Sequence, residues 1–480
     1  MARFDLAVTG GTVVIPHVGE VRADIGVKDG RIAAVTEEPI GPGDADDAID
    51  ATGKAVMPGA VDSHYHLGIY RDIADDAETE TTSSLVGGVT TVLTYFRTGG
   101  HYMDKQGPYR EILPEVLTKL DGHAKTDYGV HLAPIIPEHI DEIPWLVDEM
   151  GVSSFKYFMF YKGFNLSASS RDSKGFLMTD TEYDLGHLFE IMEKVAEVNA
   201  ARPGRVSLSL HCEHSELMRV FIERAQADPA VSGLAEYSAA RPPLTERLAI
   251  EEAAVLADAT SVAVNFLHLS SETALATAVE IAQRYPDLDL RREVTLHHLA
   301  LACEDLEGKG LGGKVNPPIR DRSDNDALWR GIHRGEVSWV ASDHACCMEE
   351  LKGDDLWPAA AGFGGTALLY PVMISEGHHK RGLSLDRVAQ LVAANPAQSY
   401  NLYPRKGTIA VGSDADLTMV DVDLSQTVTA ELCRSAQDHC PFEGVDVKGW
   451  PVATIVGGVP MLRDGEIAKD SPGRYVKRTP

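Results

Sequence analysis

Residues 1–55 alternate apolar and polar positions, as in Phe4-Asp5-Leu6-Ala7-Val8, Ala23-Asp24-Ile25-Gly26-Val27 and Arg31-Ile32-Ala33-Ala34-Val35, with glycine-rich turns between them. This period of two predicts a small region of half-buried β-strands. From about residue 56 the texture changes to short apolar runs separated by helix-length segments, the pattern of βα units. Eight such runs are present: Val56–His66, Thr90–Phe96, Gly129–Ile136, Val152–Met159, Arg205–Glu213, Ser261–Ser270, Glu293–Leu301 and Val337–Ala345. Eight predict an α/β fold, a closed (β/α)8 TIM-type barrel with its chemistry at the C-terminal strand ends. Strand texture returns after residue 400, in Asp416-Leu417-Thr418-Met419-Val420 and Val452-Ala453-Thr454-Ile455-Val456. The simplest organisation is a barrel over 56–400, with 1–55 and 401–480 joined in one composite β-sandwich. Gly163–Thr179, rich in serine, glycine and charge, is the candidate barrel loop or lid.

A length of 480 residues exceeds what one hydrophobic core usually organises, in keeping with two domains. With 44% hydrophobic and 24% charged residues the composition is that of a globular protein, and no apolar stretch is long enough to span a bilayer. Met1–Asp5 leads directly into the first strand pattern without the basic and apolar regions of a secretory leader, so the expected location is the cytoplasm. Six cysteines without a CxxC pair read as reduced thiols, and Cys346 and Cys347, which could border a pocket, are expected to be small buried or semi-exposed thiols with no assigned chemistry. A formal charge of −28 disfavours nucleic acid and anionic membranes as partners and leaves a small-molecule substrate.

The first chemical signal is Asp62-Ser63-His64-Tyr65-His66 at the end of the first barrel run. Residues two apart on a strand share a face, so His64 and His66 can address one ion. Alone the pair is weak. His211, His268 and Asp343 each end a later run, and each by itself reads equally well as a histidine bonded to a carbonyl or an aspartate capping a helix. Together, four histidines and one aspartate on one barrel rim form a nitrogen and oxygen set suited to Zn²⁺ or a similar divalent ion. Lys156, inside the apolar run Val152–Met159, is costly there unless it snorkels, pairs with an acid or is chemically altered.

This order of HxH, lysine, histidine, histidine and aspartate along the strands resembles the amidohydrolase superfamily. Ser154-Phe155-Lys156-Tyr157-Phe158-Met159-Phe160-Tyr161 is similar to the lysine segment of hydantoinases and dihydropyrimidinases. Similar to theirs too are Lys314-Val315-Asn316-Pro317-Pro318-Ile319-Arg320, Asn395-Pro396-Ala397, Leu402–Ile409 and Gly412–Leu417. The resemblance implies two divalent ions, Zn²⁺ or else Mn²⁺ or Co²⁺, bridged by an N6-carboxylated Lys156. His64, His66, Lys156 and Asp343 would hold one ion, and Lys156, His211 and His268 the other. It further implies hydroxide attack on a ring amide, with Asp343 as proton acceptor and donor, Tyr161 steadying the oxyanion, and assembly as a homotetramer or homodimer.

Departures from the family pattern narrow the substrate. Where dihydroorotases carry a carboxylate-binding arginine, this chain has Gly68, and Arg71 is out of register, so dihydroorotate is disfavoured. Ala360 and Thr366 fall where hydantoinase-like enzymes place an asparagine and a glutamate. Asn316 is expected to contact substrate through its backbone, and Tyr70, Phe160, Tyr161 and Phe164 to wall an apolar pocket. His298 is expected to hydrogen-bond behind the ligands, His297 to point the opposite way along the strand, and His214 to lie outside the ligand set. The resulting expectation is hydrolysis of a cyclic amide such as a hydantoin, dihydropyrimidine, imide, lactam or ureide. The alternatives are an allantoinase-like or lactone hydrolase of the same superfamily and, from another class, a metal-free scaffold related to dihydropyrimidinase. The presence of all six ligand positions argues against the scaffold.

Overall fold

The structure is a computed structural model that describes residues 2–161, 183–202 and 205–478. Its centre is a parallel sheet of eight strands: β1 (Ala60–His66), β2 (Val89–Phe96), β3 (Asp127–Leu132), β4 (Ser154–Phe158), β5 (Ser207–His211), β6 (Ala263–Phe266), β7 (Leu290–Thr295) and β8, made of Trp339–Ala341 and His344–Ala345. Neighbours in sequence are neighbours in the sheet. The ring closes because the two halves of β8 face different ways: Trp339–Ala341 pairs with β7 and His344–Ala345 with β1. Between them Asp343 has φ 52°, a left-handed conformation that aspartate tolerates better than most residues.

Strands β1 to β6 are buried at every position, as covering both faces of a parallel sheet requires. That is why the sequence shows continuous apolar runs here and alternation at the chain ends. The helices between the strands turn one face inward. In Pro137–Asp148, for example, Ile140, Ile143, Leu146 and Val147 are buried. Their starts are set by short polar caps, such as Asp72 accepting from the Ala74 N–H and Asp184 accepting from the Gly186 and His187 N–H groups. Among the described residues no helix is long and apolar enough to cross a membrane.

Two further sheets come from the chain ends. One has the order Arg31–Thr36, Asp24–Lys28, Phe4–Thr9, Ala45–Asp50, and the other, of seven strands, has the order Glu466–Ile467, Val459–Arg463, Asp446–Val456, Leu417–Thr427, Ala55–Pro58, Thr12–Ile15, Gly19–Arg22. Leu6, Ile25 and Ile49 of the first meet Val13, Val56, Leu417 and Ile455 of the second in a separate apolar core.

Three sequence-based boundaries move. The run Val56–His66 is two strands, since Ala55–Pro58 belongs to the seven-stranded sheet and the chain enters the barrel only at Ala60. Gly59 makes the joint, where a Cβ would stand 2.2 Å from the Thr90 hydroxyl. The run Glu293–Leu301 is strand only to Thr295 and then turns into the helix Leu296–Ala300. Finally, the tail returns from the sandwich to the base of the barrel: Val476 N–H bonds to Tyr128 O at 2.7 Å, and the Arg478 guanidinium reaches Ser154 Oγ at 2.7 Å. The proposed lid Gly163–Thr179 and Phe164 lie outside the described residues.

Candidate metal centre

β1 delivers His64 and His66 on one face at the upper rim, and the break in β8 brings the Asp343 carboxylate between them. Asp343 Oδ1 lies 3.0 Å from His64 Nε2 and 3.2 Å from His66 Nε2. The potential ligand atoms of these three residues fall within 4.8 Å of one another. In each imidazole the other nitrogen is occupied, His64 Nδ1 by Glu293 Oε1 at 2.7 Å and His66 Nδ1 by the Tyr102 hydroxyl at 2.7 Å. Fixing Nδ1 in this way leaves Nε2 as the lone pair that faces the centre.

β5 and β6 bring the next two histidines alongside. The His211 and His268 ring centroids are 4.2 Å apart, and those of His64 and His268 are 5.3 Å apart. His211 Nε2 contacts Glu213 Oε2 at 2.6 Å, so Nδ1 is its available atom. His268 has φ 36°, a left-handed value for a non-glycine residue, and its N–H donates to Glu293 Oε1 at 3.2 Å. On β4, Lys156 is 1% exposed, with its ammonium nitrogen 4.5 Å from the Tyr95 ring centroid and 4.8 Å from that of Phe158. The structure therefore brings His64, His66, Lys156, His211, His268 and Asp343 to one end of the barrel.

The electrostatics suit a cation. Burial pushes His64, His66, His211 and His268 down, His211 to about 4, so all four imidazoles are neutral at pH 7. Burial alone would push Asp343 up, but the His64 and His66 imidazoles and Lys156 outweigh it and hold the carboxyl at about 2. Burial also brings the Lys156 amine down to about 7. Neutral imidazole and ionised carboxylate are the forms that bind metal. Moreover, Lys156 Nζ and both ring nitrogens of His268 are buried without a hydrogen-bond partner among the described residues. Buried polar atoms are seldom left so, and a divalent ion would take up the lone pair of one His268 nitrogen beside the other imidazoles and the Asp343 carboxylate, so the residues present fit a metal centre.

Two other acidic groups are closed by side chains of their own. Asp127, Asp414 and Asp416 surround the buried Lys406, and Asp76 and Glu80 meet Arg71 and His344.

The remaining expected residues divide. Phe160 lies tilted against His211 with centroids 4.3 Å apart, and Tyr161 packs against Phe160 at 4.2 Å. Tyr70 donates its hydroxyl to Ala361 O at 2.7 Å and so ties the β1 loop to the β8 loop. The Asn316 side chain accepts from the Tyr237 hydroxyl. His298 Nε2 meets Pro317 O at 3.2 Å and its Nδ1 meets Thr295 Oγ1 at 2.6 Å. The expectation that His297 points the opposite way is corrected. Both rings sit on one helical turn rather than a strand, and His297 Nε2 meets the same Thr295 Oγ1 at 2.9 Å. His214 caps the helix Ser215–Ala227. Arg71 bonds to Asp76 Oδ1 at 2.9 Å and is held against a helix. Thr366 is buried against Ser84, with 3.1 Å between the hydroxyls, and Ala360 gives its carbonyl to Lys352 Nζ at 3.1 Å.

Sequence reasoning missed the groups behind the ligands. Glu293 joins β1, β6 and β8 through His64, the His268 N–H and Trp339 Nε1, the last at 2.9 Å. Glu213 joins His211 to Arg241, whose Nε lies 2.8 Å from Glu213 Oε1. The available signal was a carboxylate at a buried strand position, Glu293 within β7 and Glu213 two residues beyond a strand-end histidine. Tyr102 carries no sequence signal.

Comparison with known proteins agrees with this geometry. The chain matches the amidohydrolase family over residues 192–461. It is 31% identical over 480 residues to an allantoinase of Deinococcus radiodurans, covering 99% of both chains. It is 28% identical over 495 residues to a D-hydantoinase of Ralstonia pickettii, again covering 99% of both. Among solved structures, the L-hydantoinase (dihydropyrimidinase) of Arthrobacter aurescens superposes with a TM-score of 0.86 at 29% identity, covering 98% of this chain and 99% of that one. A barrel closed through a broken eighth strand, six metal-type side chains on its rim and full-length similarity to these enzymes together make this chain a member of the amidohydrolase family.

Proposed function

We propose that this protein hydrolyses a cyclic amide, a hydantoin, dihydropyrimidine, ureide or related imide or lactam, at a centre of two divalent ions, Zn²⁺ in the first instance. One observation carries the reading: His64, His66 and Asp343 converge beside Lys156, His211 and His268, with neutral imidazoles, an ionised aspartate and Lys156 and His268 nitrogens that have no hydrogen-bond partner among the described residues. His64, His66, Lys156 and Asp343 would hold one ion, and Lys156, His211 and His268 the other. For Lys156 to serve both, its amine adds to carbon dioxide, forming an N–C bond and releasing one proton to give a carbamate. Only the neutral amine has the lone pair for this step. An ordinary lysine at pH 7 is neutral in about one molecule in three thousand, and burial pushes the Lys156 amine down, which raises that share.

When bound, such ions polarise the scissile carbonyl and bring the pKa of water towards neutrality. Asp343, ionised and placed between two imidazoles, accepts the proton of the attacking water and returns it to the leaving ring nitrogen. The Tyr161 hydroxyl donates to the oxygen that becomes negative. Phe160, Tyr161 and Tyr70 form an aromatic wall beside the centre, with Asn316 and His298 behind it. By similarity to hydantoinases the protein assembles as a homotetramer or homodimer.

The test is elemental analysis of the purified protein together with a panel of hydantoin, dihydrouracil, allantoin, succinimide and a lactam. Two ions per chain and ring opening of at least one substrate are expected. Relatives named allantoinase at 31% identity make allantoin an arm of equal weight. No bound metal after growth with zinc, and no hydrolysis restored by Zn²⁺, Mn²⁺ or Co²⁺, would favour the scaffold reading instead.

A further inference from the structure

The loop after β2 contains the most strained backbone beside the centre. His101, Tyr102, Met103 and Asp104 have φ of 66°, 49°, 79° and 51°, four successive non-glycine residues in the left-handed half of conformational space. His101 combines its φ with ψ 178°, a region in practice reserved for glycine, and Met103 has ψ −2°. Such conformations persist only where the surroundings impose them, and the contacts here are specific. Gly99 N–H bonds to Lys105 O at 2.7 Å and closes the base of the loop. Arg97 donates to Gly100 O at 2.9 Å and lays its guanidinium 5.5 Å from the Tyr102 ring centroid. Phe96 meets the same ring edge-on at 5.6 Å.

The Arg97 guanidinium and the Phe96 ring both pack on Tyr102, which is 3% exposed. Its N–H bonds to Gly68 O at 3.0 Å, two residues past His66, and its hydroxyl meets His66 Nδ1 at 2.7 Å. Tyr102 is thus tied twice to the end of β1, once to the backbone and once to the imidazole. The second contact has a direction. His66 Nε2 faces Asp343 Oδ1 at 3.2 Å and must keep its lone pair to act as a ligand, so the ring proton is on Nδ1 and the tyrosine oxygen accepts it.

We infer that Tyr102 is a positioning residue of the metal centre, its hydroxyl oxygen fixing the tautomer and rotation of His66, and that the strained turn His101–Asp104 serves to deliver it. The inference rests on the reading of His66 as a metal ligand. It assigns the two histidines of the HxH pair unlike partners: His64 leans on a carboxylate and His66 on a neutral phenol.

The test compares Zn²⁺ affinity of the full-length protein and Tyr102→Phe, by competition with a chelator of known affinity. The substitution removes one oxygen and leaves the ring under Arg97 and against Phe96. Zn²⁺ affinity is expected to fall 10- to 100-fold, with the metal-free unfolding midpoint little changed and kcat recovering in excess Zn²⁺. Zn²⁺ affinity within a factor of two of the unsubstituted protein overturns the inference and leaves the metal centre standing. An unsubstituted protein that takes up no Zn²⁺, Mn²⁺ or Co²⁺ overturns both. Should Tyr102→Phe fail to fold, nitrogen-detected NMR of the histidine-labelled, Zn²⁺-loaded protein decides. A His66 proton on Nδ1 with an Overhauser contact to the Tyr102 ring is expected, and a proton on Nε2 refutes the assignment.

Discussion

Replacing Arg241 with methionine removes a guanidinium while keeping most of the side-chain volume, and it isolates the energetics that hold His211. In the folded protein Glu213 is fully buried and Arg241 is 6% exposed. Arg241 Nε meets Glu213 Oε1 at 2.8 Å, its Nη2 meets Oε2, and His211 Nε2 meets Oε2 at 2.6 Å. Burial alone would push the Glu213 carboxyl up, but the Arg241 charge and hydrogen bonds, with a further one from His211, hold it below the ordinary carboxylate range. Arg241→Met leaves that carboxylate in the interior with the His211 N–H as its remaining partner. Breaking a buried pair from one side costs about 3–5 kcal/mol, whereas replacing both members by apolar groups is close to neutral.

The expected loss for Arg241→Met at pH 7 is therefore about 3–5 kcal/mol in urea unfolding, and Arg241→Met with Glu213→Leu should be more stable than Arg241→Met alone. A coupling of roughly 2–3 kcal/mol between the sites is expected. The sign with pH follows from the depressed folded value. The contribution of Glu213 is complete above about pH 4.5, the unfolded glutamate range, and is lost as pH falls below it towards the folded value. The cost of Arg241→Met should accordingly shrink at pH 4. A loss below about 1 kcal/mol, or a double variant that simply sums the two singles, would refute the reasoning.

Lys156→Ala is expected to reduce turnover to background, with partial rescue by acetate or propionate standing in for the carbamate; undiminished turnover would rule out the bridge. Asp343→Asn should retain part of the metal while kcat falls about 10²- to 10⁴-fold, and an unaltered rate across neutral pH would contradict its role in proton transfer. Glu80 lies on the other side of β8. Burial alone would push its carboxyl up, but His344 Nε2 at 2.8 Å, the Ser435 hydroxyl and the Ala436 N–H hold it at about 2. That depression corresponds to about 3 kcal/mol of stability, present above about pH 4.5 and lost as pH falls towards 2. Glu80→Gln should thus cost stability at pH 6 and progressively less towards pH 3, and an equal cost at both, read from urea midpoints, would exclude this account.

The barrel was legible in the sequence because a parallel sheet covered on both faces permits apolar residues without interruption, as in β2, where all eight positions are buried. The same property blurs its edges. At Ala55–His66 the chain leaves one sheet and enters another without losing its apolar character, and only Pro58-Gly59 marks the joint. At β7 the apolar run continues through a helical turn, so strand alternation assigned His297 and His298 to opposite sides when a shared Thr295 hydroxyl joins them. The tail is hidden for a different reason. Arg474 and Val476 bind the barrel base through backbone hydrogen bonds to Tyr128, which carry no side-chain signature.

The metal-type side chains could be found because strand geometry gives each a place: a residue at the C-terminal end of a barrel strand faces the rim whatever its neighbours are. Their orientation follows no such rule. An imidazole is fixed for ligation through one nitrogen when the other is engaged, as in His64, His66 and His211, and for His64 and His66 the engaging groups stand far off in the chain. Glu293 is 229 residues from His64 and Tyr102 is 36 residues from His66. Glu293 also spans β1, β6 and β8, so it couples the angle of one imidazole to the closure of the barrel itself. It follows that changes at Glu293, Glu213 or Tyr102 should alter metal affinity while every residue of the HxH, lysine, histidine and aspartate pattern remains in place. A chain can therefore keep the complete ligand pattern and still lose the centre; in this one the outer partners of His64, His211 and His66 all lie within hydrogen-bond distance.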